Sequence, residues 1–210
     1  MSETKNAVER RTVLKGAAWS VPVIAAAAAA PFAAASVTNA SVAWTASSTS
    51  LIQLRLLDTQ DVLTAKVLTT VPTEFTITNG AGAITGTPIV SINVGRPGGI
   101  NLTAGPARGF GVYSVNNVVT QASERSVTYQ SGLLGDYGFP LTSWAAPRAF
   151  SIPSNGSVKV PVELALAGKS GLLSISALAS FPVTLTVDFG NGNKYTATSA
   201  VSVPVGAGLL

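Results

Sequence analysis

The feature that most constrains the fold is a series of short runs in which apolar and polar residues alternate, separated by glycine, asparagine and proline. Alternation of this kind places successive side chains on opposite faces of a strand, and the β-branched residues in these runs favour that conformation. Two segments, 60–68 and 170–179, are also compatible with a helix, but neither has a sustained three-to-four spacing of apolar residues. We therefore predict an all-β fold with strands at 51–57, 75–78, 89–94, 112–115, 125–129, 158–164, 183–187 and 195–203.

The clearest local prediction is a hairpin near the carboxyl end of the chain. The turn sequence Gly190-Asn191-Gly192-Asn193 separates two alternating runs, and Asn-Gly tolerates the positive φ angles of tight hairpin loops. The oxygen-bearing side chains around this turn, from Asp188 onward, also have the spacing of a calcium loop. Such a loop normally offers more carboxylates and a terminal glutamate, so the turn is the favoured interpretation.

Many short strands separated by turns favour an immunoglobulin-like antiparallel β-sandwich, without the cysteine pattern of true immunoglobulin domains. Pro161 and Pro182 lie in or beside strand runs, which predicts sheet edges or bulges there. Because the chain has no cysteine, the fold must depend on an ordinary hydrophobic core. Residues 36–210 are predicted to form one such domain, and two small β domains remain an alternative. The stretch 36–71 is compatible with an additional N-terminal hairpin or with strands of the same sandwich.

The first 35 residues have the three parts of a cleavable export signal. A polar start containing Arg10 and Arg11 precedes an uncharged, alanine-rich run over 16–30, and a small-residue exit follows. Signal peptidases accept small side chains at the first and third positions before the cut, so Ala33 and Ala35 predict cleavage between Ala35 and Ser36.

The leader resembles the twin-arginine signals of exported actinobacterial proteins, and it matches their motif at Arg10, Arg11, Leu14 and Lys15. It departs from that motif at Glu9, where serine or threonine is usual, and at Val13, where phenylalanine is usual. The resemblance covers residues 1–35 and implies passage of the folded chain through the twin-arginine translocase, followed by signal peptidase cleavage. It also implies that the protein is secreted or associated with the cell envelope. A general secretory signal and a retained membrane anchor are the alternatives, although a spanning helix needs about 20 strongly apolar residues.

Charge and composition exclude several classes of function. Four of the 13 basic and two of the 9 acidic residues lie in the leader, so 36–210 carries a net charge of +2, with its cations scattered along the chain. This distribution does not indicate nucleic-acid binding. The chain has no histidine and no cysteine, which excludes Ser-His-Asp and Cys-His catalysis and removes the usual ligands of transition metals. We therefore predict a protein without a cofactor.

One cluster of residues stands out as a candidate binding region. Four of the twelve aromatic residues of 36–210 fall within 137–150, a stretch interrupted by glycine and proline and without clear alternation. This pattern predicts a long ordered loop, and such loops on rigid β scaffolds often bind ligands. The rings could stack on an envelope glycan or anchor a protein partner, or they could fold back to close the end of the sandwich. The candidate residues are Tyr137, Phe139, Trp144 and Phe150.

These observations predict an exported, non-enzymatic β-sandwich protein that acts by surface contact at the cell envelope or outside the cell. A subunit of a surface layer or filament, joined through a donated edge strand, is a variant of this hypothesis. The alternative is a small hydrolase of envelope polysaccharide that uses two carboxylates. The seven acidic residues of 36–210 have no motif that groups two of them, and their simpler interpretation is as solvated surface groups.

Overall fold

A computed structural model of the chain describes residues 39–57, 62–169 and 173–203. Most of these residues lie in antiparallel β strands, and the described part contains no α-helix. The strands are β1 (Ser41–Arg55), β2 (Val62–Thr78), β3 (Ile84–Gly86), β4 (Ile89–Val94), β5 (Gly98–Ala104), β6 (Gly109–Val115), β7 (Val118–Val119), β8 (Arg125–Gly132), β9 (Gly135–Pro147), β10 (Phe150–Ile152), β11 (Ser157–Ala167), β12 (Leu173–Asp188) and β13 (Lys194–Val203). A 3₁₀ turn, Ala122–Glu124, precedes β8.

Eleven of the strands form one curled sheet with the order β7-β6-β11-β2-β13-β12-β4-β9-β8. β1 pairs with β2 along its length, β5 pairs with the first part of β12, and β3 and β10 form a separate two-stranded sheet. Seven of the eight sequence runs predicted as strands lie wholly in strands, and the eighth, 51–57, lies in β1 as far as Arg55. The prediction of an all-β fold is confirmed for the described residues. The described parts of the two ambiguous segments belong to β2 and β12, so the strand interpretation is correct there as well.

The core lies on the concave face of the sheet because each long strand buries alternate side chains. In β12 the side chains of Ala179, Phe181, Val183, Leu185 and Val187 are all buried, while their neighbours are polar, proline or half-exposed. Phe181 also receives the edges of two rings from other strands, with centroid distances of 5.0 and 5.5 Å. Each fully buried side chain of this size contributes about 1.5–3 kcal/mol relative to exposure. Burial of this inward row therefore determines which face of β12 meets the core.

Pro161 and Pro182 both lie where a strand changes its hydrogen-bonding partner. β11 pairs with β2 as far as Pro161 and with β6 from Val162 onward. β12 pairs with β5 up to Ser180 and with β4 from Val183, which leaves Pro182 at the junction between them. A proline has no backbone N–H to donate to a neighbouring strand, and no such donor is needed where the strand changes its partner. The sequence predicted an edge or a bulge, and the structure shows a change of partner within the interior of the sheet.

The hairpin between β12 and β13 forms as predicted from its Asn-Gly turn. Asp188 pairs with Lys194 in the register, and Asn191 has a positive φ of 53°. The Asp188 carboxylate accepts a hydrogen bond from the Gly190 N–H at 2.9 Å and forms an ion pair with the Lys194 ammonium at 3.1 Å. These contacts, the backbone bond first, lower the pKa of Asp188. The Asp188 carboxylate therefore binds groups of the hairpin itself. This agrees with the interpretation of the segment as a turn and not as a calcium loop.

The two ends of the curled sheet are neighbours in the chain. β7 and β8 end the strand order, and only residues 120–124 separate them in sequence. A chain of that length spans at most about 20 Å, so the ends must approach each other. We call this region of approach the seam. There, β8 and β9 contact β6 and the residues that lead into β6. The seam is closed by backbone bonds between Gly138 and residues 105 and 107, and by a bond from the Thr142 hydroxyl to the Phe110 carbonyl at 2.5 Å.

Candidate functional site

The predicted aromatic loop is a strand, and the loop prediction is wrong. Residues 135–147 form β9, which pairs with β4 on one side and β8 on the other. Phe139, Trp144 and Phe150 are buried, whereas Tyr137 is 44% exposed. Phe150 lies in a different sheet from the other three, so the four rings do not form one surface. Of the candidate binding residues, Tyr137 alone offers a large exposed area for contact.

Trp144 takes part in a polar cluster that fixes the 3₁₀ turn against β9. Its indole N–H donates to Glu124 Oε2 at 3.0 Å, and the Gln121 backbone N–H donates to the same oxygen at 3.1 Å. The Arg148 guanidinium lies 3.5 Å from this oxygen and 5.0 Å from the centre of the Trp144 ring. Burial is the largest single influence on Glu124 and raises its pKa, but these donors together hold the pKa below its ordinary value. The cluster therefore accounts for Trp144 as a structural residue.

The most unusual surface feature is the tip of the β8–β9 hairpin. Leu133 and Leu134 form the two-residue connection between Gly132 and Gly135, and both leucine side chains are fully exposed. Gly135 has a φ of +101°, a conformation that suits glycine, so the turn itself does not require leucine. Turns normally carry polar residues, because a side chain there has nothing to pack against. Packing within the described residues therefore does not account for two leucines at this position.

Further exposed apolar side chains continue from the tip along both faces of the hairpin. Tyr137 and Leu141 lie on its outer face, and Val127 on its inner face, each about two-fifths exposed. The Tyr137 ring lies across Gly132, where an added Cβ would come within 3.2 Å of it. The ring is thereby held beside the tip, so the exposed apolar area extends from the turn toward the body of the sheet.

The hairpin is held firmly at its base by an arginine that fills a bulge. The pairing of β8 with β9 is irregular between Thr128 and Gln130, and Gly138 adopts a positive φ of 76° there. The Arg96 guanidinium lies in this gap and donates to the Phe139 carbonyl and the Thr128 carbonyl, each at 3.2 Å. These charge-assisted bonds replace part of the backbone ladder. The projecting tip is therefore mounted on a fixed base.

A shallow hollow of about 100 Å³ lies at the seam, beside the first residues of β8. Its lining includes Ala122 of the 3₁₀ turn, Arg125 and Val127 of β8, and Gly111 of β6, with no carboxylate among the lining residues. The Arg125 guanidinium has no hydrogen bond or ion pair to any described residue. The hollow is smaller than the roughly 300–1,000 Å³ of ordinary small-molecule sites. It suits one side chain or one small group better than an extended substrate.

The carboxylates whose contacts the structure gives are engaged with nearby donors. Glu74 accepts from Lys159 and Thr45, which lower its pKa, and Asp136 accepts a hydroxyl bond from Ser131. Within 39–57, 62–169 and 173–203, no three metal-ligating side chains are grouped together. No helix among these residues has the length and apolar character needed to cross a membrane.

The residues of the predicted export signal lie outside the described ranges, so the leader and its cleavage site stay predictions. They are Arg10, Arg11, Leu14, Lys15, Ala33, Ala35 and Ser36. Sequence reasoning also missed the leucine tip. The signal was present in Gly132-Leu133-Leu134-Gly135, where two large apolar residues stand between glycines directly after an alternating run.

Comparisons of the chain with protein-family models, with curated proteins and with solved structures found no match. The function must therefore be argued from the geometry of the hairpin, the hollow and the sheet edge.

Proposed function

We propose that this protein is a non-enzymatic module that acts by surface contact, with the β8–β9 hairpin as its contact element. The observation that carries the proposal is the pair of fully exposed leucines, Leu133 and Leu134, on a hairpin whose base is fixed by Arg96. Burying each leucine against a partner would contribute about 1.5–3 kcal/mol before the cost of association. A fixed hairpin loses little conformational freedom when it binds, which favours this use.

Export of the chain is part of the same proposal. The twin-arginine resemblance of residues 1–35 supports passage of a folded protein to the cell envelope or beyond, where signal peptidase would release 36–210. A finer description of the fold as an immunoglobulin-like sandwich also belongs here. It is supported by rings from β6, β9 and β12 that meet across one core.

The test is a binding screen with a matched pair of variants. The immobilised full chain is measured by surface plasmon resonance against purified envelope polysaccharides, secreted proteins and the chain itself. Leu133→Ser with Leu134→Ser should weaken any interaction by roughly tenfold or more, the loss expected for a central apolar contact. Ile89→Ser removes another exposed aliphatic side chain, 54% exposed on β4, and should leave binding unchanged.

Two results would contradict the proposal. In the first, every interaction detected is insensitive to the leucine variant. In the second, the full chain releases reducing sugar from an envelope polysaccharide, which would support a carboxylate-dependent hydrolase instead.

A further inference from the structure

We infer that the partner of the β8–β9 hairpin is an anionic lipid bilayer, and that the leucine tip inserts between its headgroups. The inference rests on the proposed function and names the partner for it. Three observations carry it. The tip is a small convex projection, its apolar part is about as deep as the interfacial layer of a bilayer, and cations lie around the base of the hairpin.

The end of the hairpin projects from the body of the protein. All eight residues from Gln130 to Tyr137 are exposed, and burial begins again at Gly138. Leu133 and Leu134 lie at the far end of this projection, so they present a convex apolar surface. A protein partner would need a preformed pocket around such a surface, whereas the fluid acyl boundary of a bilayer closes around an apolar group of any shape.

The apolar area of the tip is small for a protein interface. The two leucines and the exposed part of the Tyr137 ring offer roughly 200–350 Å². A stable protein–protein interface buries about 800 Å² on each partner. Val127 and Leu141 lie further from the tip and on opposite faces of the hairpin, so one partner surface does not cover both. Binding to a bilayer instead increases with the buried apolar area and needs no such minimum.

The depth of the apolar part matches the interfacial layer of a bilayer. Ser131 and Asp136 pair with each other two residues behind the leucines, and the Ser131 hydroxyl donates to the Asp136 carboxylate at 3.3 Å. Two residues of a strand span about 7 Å, and apolar faces enter the headgroup and acyl boundary by about 5–10 Å. The polar pair therefore limits how far the tip inserts. The Tyr137 ring lies across Gly132 in front of this pair, and tyrosine is favoured at membrane–water interfaces.

Cations lie around the base of the hairpin, behind the apolar tip. Arg96 fills the bulge between β8 and β9. The Arg108 guanidinium donates to the carbonyl of the residue before Lys169, and the Lys169 backbone N–H donates to the Tyr129 hydroxyl of β8. The Lys169 ammonium is exposed and lies 4.0 Å from the Asp136 carboxylate, which balances one of these three positive charges. An excess of positive charge behind an apolar tip is complementary to anionic lipid headgroups.

A single fluorescent label tests insertion directly. The chain has no cysteine, so Leu134→Cys creates a unique site for an environment-sensitive fluorophore. The labelled full chain is mixed with vesicles of phosphatidylcholine and phosphatidylglycerol. We expect the emission to move to shorter wavelength and to be quenched by spin-labelled lipid. Ile89→Cys labels another exposed aliphatic position, on β4, and its fluorophore should stay in water. Because the label reports only its own surroundings, membrane contacts of residues 1–35 do not mimic this result.

Vesicle sedimentation of the unlabelled full chain separates the apolar and the charged contributions. Leu133→Ser with Leu134→Ser should lower the partition coefficient by roughly tenfold or more. Lys169→Gln should lower it by roughly fivefold with anionic vesicles and leave it unchanged with phosphatidylcholine alone. Ile89→Ser is the matched control and should bind like the parent chain. Circular dichroism confirms that each variant is folded.

A fluorophore at position 134 that stays in water overturns the inference, as does vesicle binding that is equal for the parent chain and the serine variant. If the binding screen then finds a protein or polysaccharide whose binding depends on the leucines, the proposed function stands and only the lipid partner is wrong. If neither the vesicles nor any partner in the screen distinguishes the serine variant, the proposed function is wrong as well.

Discussion

Replacing Trp144 with phenylalanine tests whether its indole N–H is a major support of the fold. The change keeps an aromatic ring in a fully buried position but removes the 3.0 Å bond to Glu124. A hydrogen bond to a charged group contributes about 1.5–3 kcal/mol. The weaker stacking of Arg148 on a smaller ring adds about 0.5–1 kcal/mol. We therefore expect the free energy of unfolding to fall by about 2–4 kcal/mol at neutral pH.

Trp44→Phe is the matched control. The Trp44 ring packs edge to face on Phe75 at 5.8 Å, and its buried Nε1 has no hydrogen-bond partner among the described residues. Removing that N–H loses no bond and relieves a buried donor that has no acceptor. Urea unfolding of the full chain with both variants gives the two free energies from the midpoint and slope. Equal losses for Trp144→Phe and Trp44→Phe would refute the reasoning.

Acid provides a second arm of the same experiment. The pKa of Glu124 is lower in the folded chain than its ordinary value of 4.5, so its stabilising contribution is complete above that value. The contribution declines as the pH falls through the folded pKa. Trp144→Phe removes one of the contacts that lower this pKa. The difference in the free energy of unfolding between the variant and the parent chain should therefore become smaller in acid. A difference that stays constant from neutral pH to strong acid would show that Glu124 is not involved.

Three further predictions concern the seam, a turn and the leader. Thr142→Val keeps the shape of the side chain but removes the hydroxyl that donates to the Phe110 carbonyl. The free energy of unfolding, measured by urea unfolding, should therefore fall by about 1–3 kcal/mol. An unchanged free energy of unfolding would contradict the seam bond. Asn191→Val places a β-branched residue at a positive φ and should lower the free energy of unfolding by about 1–2 kcal/mol. Asn191→Gly should leave the free energy of unfolding nearly unchanged. Equal midpoints for the two variants in thermal unfolding would argue against the turn geometry. Replacing Arg10 and Arg11 together by lysine should retain folded protein in the cytoplasm, as followed by cell fractionation, and secretion at the normal rate would show a general secretory signal instead.

The strands were predictable wherever the buried face carries apolar residues and the other face carries polar ones. β12 shows this, since the inward positions from Ala179 to Val187 alternate with serine, proline and threonine. β9 was not predictable in this way. Its inward row contains Thr142 and Ala146, and its outward row contains Leu141, so hydrophobicity alone does not separate the faces. Thr142 is buried because the Phe110 carbonyl, distant in sequence, accepts its hydroxyl.

The order of the strands in the sheet and the exposed apolar surface could not be predicted from the sequence, for a related reason. The prolines predicted irregular strand positions correctly in kind, but which strands meet at Pro161 and Pro182 depends on the packing of the whole core. The aromatic residues near 137–150 attracted attention because large rings often bind ligands, yet three of them are needed for packing. The sequence contains Leu133 and Leu134, but only the structure shows that they lie at a projecting turn and are exposed.

The seam has a consequence for how the native chain opens. Most neighbouring strands of the sheet are joined by backbone ladders of several residue pairs, whereas the closure at the seam depends on a few bonds from Gly138, Thr142 and Tyr129. Breaking these would let the two ends of the sheet separate while the ladders within each end stay intact. The short segment 120–124 would act as a tether that limits the separation and aids reclosure. Amide hydrogens of Ala107 and Gly138 should consequently exchange through a local opening of low free energy, well before those in the centre of β12.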